Sequence, residues 1–183
     1  MSYATLGAAL VIDLGAGTAR GDVMAVDSLS GIENAAGGGG ADRIAGSSAA
    51  NLLAGNGGGD RLEGGGGRDA LDGGAGTDRL FGGSGADRFD ALADSAKGSA
   101  RDTIGDFERR LDSIDLAGID ADATRKGNQA FVFLGDLRFD KVAGEWRFTN
   151  GILAGDVDGD GRADFEVAVA GALAVGEVGD LLL

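Results

Sequence analysis

Histidine, cysteine and proline are absent from the 183 residues, and aromatics are scarce: eight Phe, one Trp and one Tyr. Without cysteine there is no disulfide framework and no thiol nucleophile. Without histidine there is no Ser-His-Asp triad and no histidine-ligated zinc. No stretch approaches the ~20 apolar residues that span a bilayer. The opening MSYATLGAALVIDLGAG carries no Lys or Arg ahead of its short apolar run, so it does not read as a secretory signal peptide. Basic side chains are in deficit, 16 against 30 acidic ones, for a formal charge of -14. That balance disfavours nucleic acid and anionic membranes as partners and favours cations. Glycine is in excess instead, 37 of 183, roughly 20% where ~7% is usual. Ordering so much unrestrained backbone is costly, so something besides a hydrophobic core must hold this chain.

Three regions differ in texture. Residues 1–36 read as N-terminal capping strands, with Ala9–Leu14 the clearest candidate, followed by turn residues. Residues 37–90 are dominated by glycine. Residues 91–183 return to ordinary composition and form a β-rich cap, in which Phe131–Leu134, Leu137–Phe139, Trp146–Phe148 and Phe165–Val169 read as strands between Gly, Asn and Asp turns. Trp146, Phe131, Phe133, Phe139 and Phe148 are the expected core of that cap. The composition and turn spacing indicate an all-β protein.

Aligned on themselves, residues 37–90 repeat every nine: GGGGADRIA, GSSAANLLA, GNGGGDRLE, GGGGRDALD, GGAGTDRLF, GGSGADRFD. The sixth position reads Asp42, Asn51, Asp60, Asp69, Asp78, Asp87; the eighth reads Ile44, Leu53, Leu62, Leu71, Leu80, Phe89. A linker has no reason to keep Asp and Leu in register over six units, and collagen would need a period of three and proline. Three residues around the apolar position suffice for a short strand, and the other six turn the chain. Two units then close a coil of 18 residues, so that odd units stack on odd and even on even. The second and fourth positions, Gly38, Gly40, Gly58, Gly65, Gly67, Gly74, Gly76, Gly83 and Gly85, let the turns reach φ > 0 and bring carbonyls toward an ion. Six apolar side chains at ~1.5–3 kcal/mol each do not offset the ordering of 54 residues at ~1–2 kcal/mol apiece.

Stacking also places Asp42, Asp60 and Asp78 in one column and Asn51, Asp69 and Asp87 in the other, one strand spacing of ~4.8 Å apart. Carboxylates that close repel by up to ~3 kcal/mol at an effective dielectric near 20. A divalent cation between turns reverses the sign, and an all-oxygen site with backbone carbonyls suits Ca²⁺ better than Mg²⁺. Full sites are expected at Asp42/Asp60, Asp60/Asp78 and Asp69/Asp87, with a weaker one at Asn51/Asp69, and about four to eight ions in all. The pattern G-G-x-G-x-D-x-U-x, with U a large apolar residue, is that of the calcium-binding RTX repeat.

The repeats, followed by RDTIGDFERRLDSIDLAGID, GNQAFVFLGDLRF, AGEWRF, LAGDVDGDGRADFEVAV and a terminal GDLLL, resemble the C-terminal domain of serralysin-type secreted metalloproteases. The resemblance implies a calcium-bound parallel β-roll with a small β-rich cap. It also implies export, to an extracellular location, by a type I secretion machine that reads an uncleaved C-terminal signal; Asp180-Leu181-Leu182-Leu183 matches the acidic-then-apolar ending of the family. The family's catalytic zinc motif has no counterpart here. The chain therefore resembles the non-catalytic module that follows a passenger domain. Similar modules follow the catalytic domains of alginate epimerases and some lipases.

Arg101 to Phe107 repeats the D-x-U step, so Asp102 is expected to close the last ion site, with Asp106 as a second candidate. Asp112 and Asp115 are expected on the wet face of a strand. In D-V-D-G-D-G-R-A-D, Asp156, Asp158, Asp160 and Asp164 stand at positions 1, 3, 5 and 9 with Gly161 at 6, the opening of a calcium loop. Position 12 is Val167, so the bidentate acid of an EF-hand is missing, and an acidic β-turn is the alternative. The repeat arginines Arg43, Arg61, Arg79 and Arg88 lie beside core positions, with Arg68 in a loop. They read as charge balance, the alternative being a groove for an acidic polysaccharide. No nucleophile and base converge, so the chain is not read as an enzyme.

Overall fold

Each nonapeptide sets one large apolar residue between polar neighbours, and each makes one strand there. The computed structural model describes residues 7–21, 26–90, 100–127, 129–171 and 181–182, the last two as backbone. The strands are β1 (Leu10–Asp13), β2 (Thr18–Gly21), β3 (Asp27–Ser28), β4 (Asn34–Ala36), β5 (Arg43–Ser47), β6 (Leu52–Ala54), β7 (Gly57–Gly58), β8 (Arg61–Gly66), β9 (Ala70–Asp72) and β10 (Ala75–Gly76). They continue with β11 (Arg79–Ser84), β12 (Arg88–Asp90), β13 (Asp102–Phe107), β14 (Ser113–Asp115), β15 (Val132–Phe133), β16 (Glu145–Thr149), β17 (Ile152–Asp156), β18 (Phe165–Gly171) and β19 (Leu181–Leu182). Among the described residues there is no α-helix, and no helix long and apolar enough to cross a membrane.

The expected stacking of odd on odd and even on even is the observed register. In one sheet, the parallel strands β1, β5, β8, β11, β13 and β18 align Ile12, Ile44, Leu62, Leu80, Ile104 and Val169. In the other, β4, β6, β9, β12, β14 and β19 align Ala35, Leu53, Leu71, Phe89, Ile114 and Leu181. The six repeat residues in these rows are at most 1% exposed. They join the same core cluster as Ile104 and Ile114, so the coiling continues one turn past residue 90. The fold is a parallel β-roll.

Antiparallel strands close both ends of the larger sheet. β2 and β3 extend it beyond β1, and β17 and β16 extend it beyond β18, with β15, which runs parallel to β16, as the outermost strand. The N-terminal strand β1 pairs with β5 and so covers the edge of the first repeat. The cap's core contains Phe131, Trp146, Phe148, Leu153, Phe165 and Val167, with Phe133 stacked on Trp146 at 4.0 Å. Two expectations fail here. Leu137–Phe139 forms no strand, and Phe139 is only half-buried. Its ring instead lies against the Arg147 guanidinium at 4.7 Å, an arrangement that needs no place in the core. Segment 91–99 and the ends of the tail, Asp180 and Leu183, lie outside the described residues.

Candidate metal centre: the stacked carboxylates

The residue at position six of each repeat immediately precedes a strand, so its side chain turns into the bend between coils. All six, Asp42, Asn51, Asp60, Asp69, Asp78 and Asp87, are buried. Each carboxylate reaches back to the backbone of the coil before it. Oδ1 of Asp60 accepts from Asp42 N, Asp78 from Asp60 N, Asp69 from Asn51 N and Asp87 from Asp69 N, all at 2.7–2.9 Å. Asp102 continues the first column by accepting from Asp78 N at 2.8 Å. These bonds fix the carboxylates in two ladders, and they use one oxygen apiece.

The second oxygen separates two kinds of turn. In the first unit, Asp42 Oδ2 accepts from Gly38 N of its own turn, while Oδ1 takes Leu10 N. In the second, Asn51 Oδ1 accepts from Ser47 N and its amide donates to the Glu33 carbonyl. Every side-chain oxygen of these two residues has a donor. In the next four units the residue at position two has φ > 0: Asn56 (73°), Gly65 (105°), Gly74 (78°) and Gly83 (91°). There the turn opens, and the Oδ2 atoms of Asp60, Asp69 and Asp87 are buried with no hydrogen-bond partner. A buried carboxylate oxygen without a donor is expensive, and these oxygens are the ones that could hold a cation. Gly38 and Gly40 do not take the positive φ of the later turns.

Burial pushes the carboxyls of Asp60 and Asp69 up to about 6, with the neighbouring charges of Asp42 and Asp87 acting in the same direction. Asp87 is raised by burial too, and Asp106 and Glu108 add to the effect. Asp106 sits across the stack, accepting from Gly82 N and Gly83 N at 2.9 Å.

Asp112 corrects the sequence reading. It is 4% exposed rather than on a wet face. Its Oδ1 accepts from Asp87 N and its Oδ2 from Glu108 N, so it is the next rung of the second ladder. Asp112-Ser113-Ile114 carries the D-x-U step that marked Asp102, and that signal was available. Replacing Asp112 by Ala strands two backbone donors and is expected to cost about 2–4 kcal/mol. Urea unfolding in calcium measures it, with the exposed Asp136→Ala expected within about 0.5 kcal/mol of the parent.

The first glycine of each repeat is a second feature the sequence reading passed over. It is confined by its surroundings rather than by φ. A Cβ on Gly64 would lie 2.6 Å from the Gly82 carbonyl oxygen and 2.9 Å from Asp69 Cβ; Gly55, Gly73 and Gly82 are similarly enclosed by their own Asp.

The hairpin between β17 and β18 forms a separate acidic cluster. Asp156, Asp158 and Asp164 bring carboxylate oxygens within 4.8 Å of one another, while Asp160 is exposed and outside the group. Asp156 is fully buried and accepts from Gly159 N and Gly161 N; Asp164 accepts from Val157 N. Glu145, opposite Asp156 in register, is also buried, and burial raises its carboxyl, helped by Asp140 and Asp156. No spacing rule connects Glu145 to this loop; only the pairing of β16 with β17 does.

On the outer face of the larger sheet Arg43, Arg61 and Arg79 stand in register. Glu63 pairs with both Arg43 (2.8 Å) and Arg61 (2.6 Å), and Arg61 lies over the Phe81 ring. On the other sheet Arg88 reaches Asp90 and Asp115.

Two parallel sheets wound from nonapeptides, with buried acidic ladders along the bends, define the class: a β-roll of the RTX type. The chain belongs to the family described as Peptidase M10 serralysin C terminal, whose model matches residues 8–181. That match is to the C-terminal domain alone. Among solved structures, the AlgE6R2 subunit of the Azotobacter vinelandii mannuronan C5-epimerase is similar at 31% identity and a TM-score of 0.60, covering 81% of this chain and 91% of that one. The AlgE6R3 subunit of the same enzyme is similar at 31% identity and a TM-score of 0.56, covering 80% of each chain. No curated protein matches the chain.

Proposed function

We propose that this chain is a non-catalytic calcium-binding module whose roll orders on binding the metal, and that it supports type I export of an upstream passenger to the extracellular side. The observation that carries the reading is the set of buried, donorless Oδ2 atoms of Asp60, Asp69 and Asp87. The donor set is entirely oxygen and comes from open, carbonyl-lined turns, which suits a hard cation with flexible coordination. Asp60, Asp69, Asp78 and Asp87 are its principal carboxylates. Asp42 and Asn51 stand at the upper ends of the ladders, Asp102, Asp106 and Asp112 at the lower. The turn glycines Gly58, Gly65, Gly67, Gly74, Gly76, Gly83 and Gly85, all with φ > 0, carry the carbonyls toward the bends; Gly38 and Gly40 serve the first turn. Bound calcium supplies charge neutralisation between coils. The residues themselves set the spacing, through Oδ1 bonds that hold each carboxylate in line.

We assign a further ion to the 156–164 hairpin, on Asp156, Asp158 and Asp164 with Asp160 at its rim. Counting calcium in the Asp156→Asn/Asp158→Asn double variant tests this assignment: one ion fewer is expected, and an unchanged count rejects it.

The export half rests on family membership and on the acidic-apolar ending Asp180–Leu183. A reporter carrying this chain is expected to lose secretion when residues 180–183 are deleted. Undiminished secretion contradicts that role.

A second reading, recognition of an acidic polysaccharide, is favoured by the arginine row on the larger sheet and by the likeness to the epimerase subunits. Glu63 already compensates Arg43 and Arg61, which is why it ranks second. Calorimetric titration with a polyuronate separates the two readings.

A further inference from the structure

The last described strand is two residues long, and its position is informative. Leu181 lies opposite Ile114 and Leu182 opposite Asp115, parallel to β14. Ile114 in turn lies opposite Phe89. Residue 181 therefore takes the next place in the apolar row that begins at Ala35 and runs through Leu53, Leu71, Phe89 and Ile114. A two-residue parallel strand has almost no stability of its own. It persists only while its neighbour is held.

That neighbour, β14, is three residues long, and it is held by the acidic ladder. Asp112 immediately before it accepts from Asp87 N, and Ser113 N donates to the Asp87 carbonyl, both within 2.8–2.9 Å. Asp87 is a residue whose second carboxylate oxygen is buried without a donor. A single physical chain thus runs from the Asp87 turn through Asp112 and β14 to residues 181–182.

We infer that docking of residues 181–182 is coupled to ordering of the roll. The segment is free in the unordered chain and occupied by β14 in the ordered one. A partner that binds this apolar segment in extended form, satisfying the backbone groups that β14 otherwise takes, can therefore engage the chain before the roll orders and not after. Folding masks the segment. The inference rests on the calcium-ordering reading, and where residues 180–183 serve as an export address, it makes that address legible only in the unfolded chain.

Hydrogen exchange on the intact chain, with circular dichroism on the same samples, tests the coupling. In millimolar calcium the peptide containing residues 181–182 is expected to exchange at least about tenfold more slowly than in chelator, where it approaches the unprotected rate. In Leu181→Asp, a charge placed at the register position opposite Ile114, the dichroism is expected to keep its calcium response while the protection is lost. Dichroism that responds to calcium while residues 181–182 exchange freely in both conditions overturns the coupling alone, as does protection that persists in chelator. Dichroism that does not respond to calcium overturns the ordering reading and the coupling together.

Discussion

Replacing Asp60 and Asp69 together by asparagine is expected to have opposite effects in the two metal conditions. With calcium the variant should need about tenfold or more metal to order, because affinity at oxygen sites follows ligand charge. In chelator it should be more ordered than the parent. Asparagine keeps the Oδ1 acceptor for Asp42 N and Asn51 N, removes two buried charges, and offers an amide donor where the parent has an unpartnered oxygen. The chain already contains this solution at Asn51, whose amide donates to the Glu33 carbonyl. A purely structural role for these aspartates would shift both conditions in the same direction.

The same charges set a pH dependence. Asp60 and Asp69 are raised to about 6 in the folded chain from an ordinary 3.8, first by burial. Between those values the folded state binds more protons than the unfolded one, so stability falls as pH rises through the window. Without calcium, order is expected to be greatest near pH 4 and to be lost as pH passes 6. With calcium the dependence inverts, since protons then compete with the metal for the same oxygens. Far-ultraviolet dichroism at pH 4, 5, 6 and 7 in each condition reads both curves.

Gly64→Ala is the second large effect. Its Cβ would meet the Gly82 carbonyl at 2.6 Å and the Asp69 side chain, and neither the stacked backbone nor a buried carboxylate can withdraw. Overpacking of this kind costs about 1–3 kcal/mol, and here it also displaces the buried Asp69 carboxylate, so about 3 kcal/mol is expected. Gly57→Ala is the matched control: nothing lies closer than 3.9 Å to its added methyl. Its unfolding midpoint in calcium should stay near that of the parent, while Gly64→Ala drops well below it. Equal midpoints would remove the claim that the first glycine is confined by stacking.

The two glycine roles show what a sequence can disclose. A period of nine is local information, and it predicts everything that repeats: the 18-residue coil, the two apolar rows and the two acidic columns. The turn chemistry also predicts φ > 0 at the second- and fourth-position glycines, which holds at Gly65, Gly74 and Gly83 and fails at Gly38 and Gly40. The confinement of Gly64 depends on a carbonyl 18 residues later, and no rule about a single turn contains it. Asp112, by contrast, was legible in the sequence: it carries the same D-x-U step as Asp102, and it follows Asp87 by 25 residues much as Asp102 follows Asp78 by 24. Glu145 reaches the hairpin only through strand pairing, and Phe139 misread as core because its partner is a cation rather than an apolar neighbour.

Buried carboxylate oxygens in the open turns are expected to need a divalent cation before the coils can close. Amide exchange at Leu62, Leu71 and Leu80, the central strands of the roll, tests it most directly when one sample is measured in millimolar calcium and again in excess chelator at pH 7. The expected result is protection near the global unfolding limit with calcium and almost none without it. Protection that survives the chelator would contradict the account.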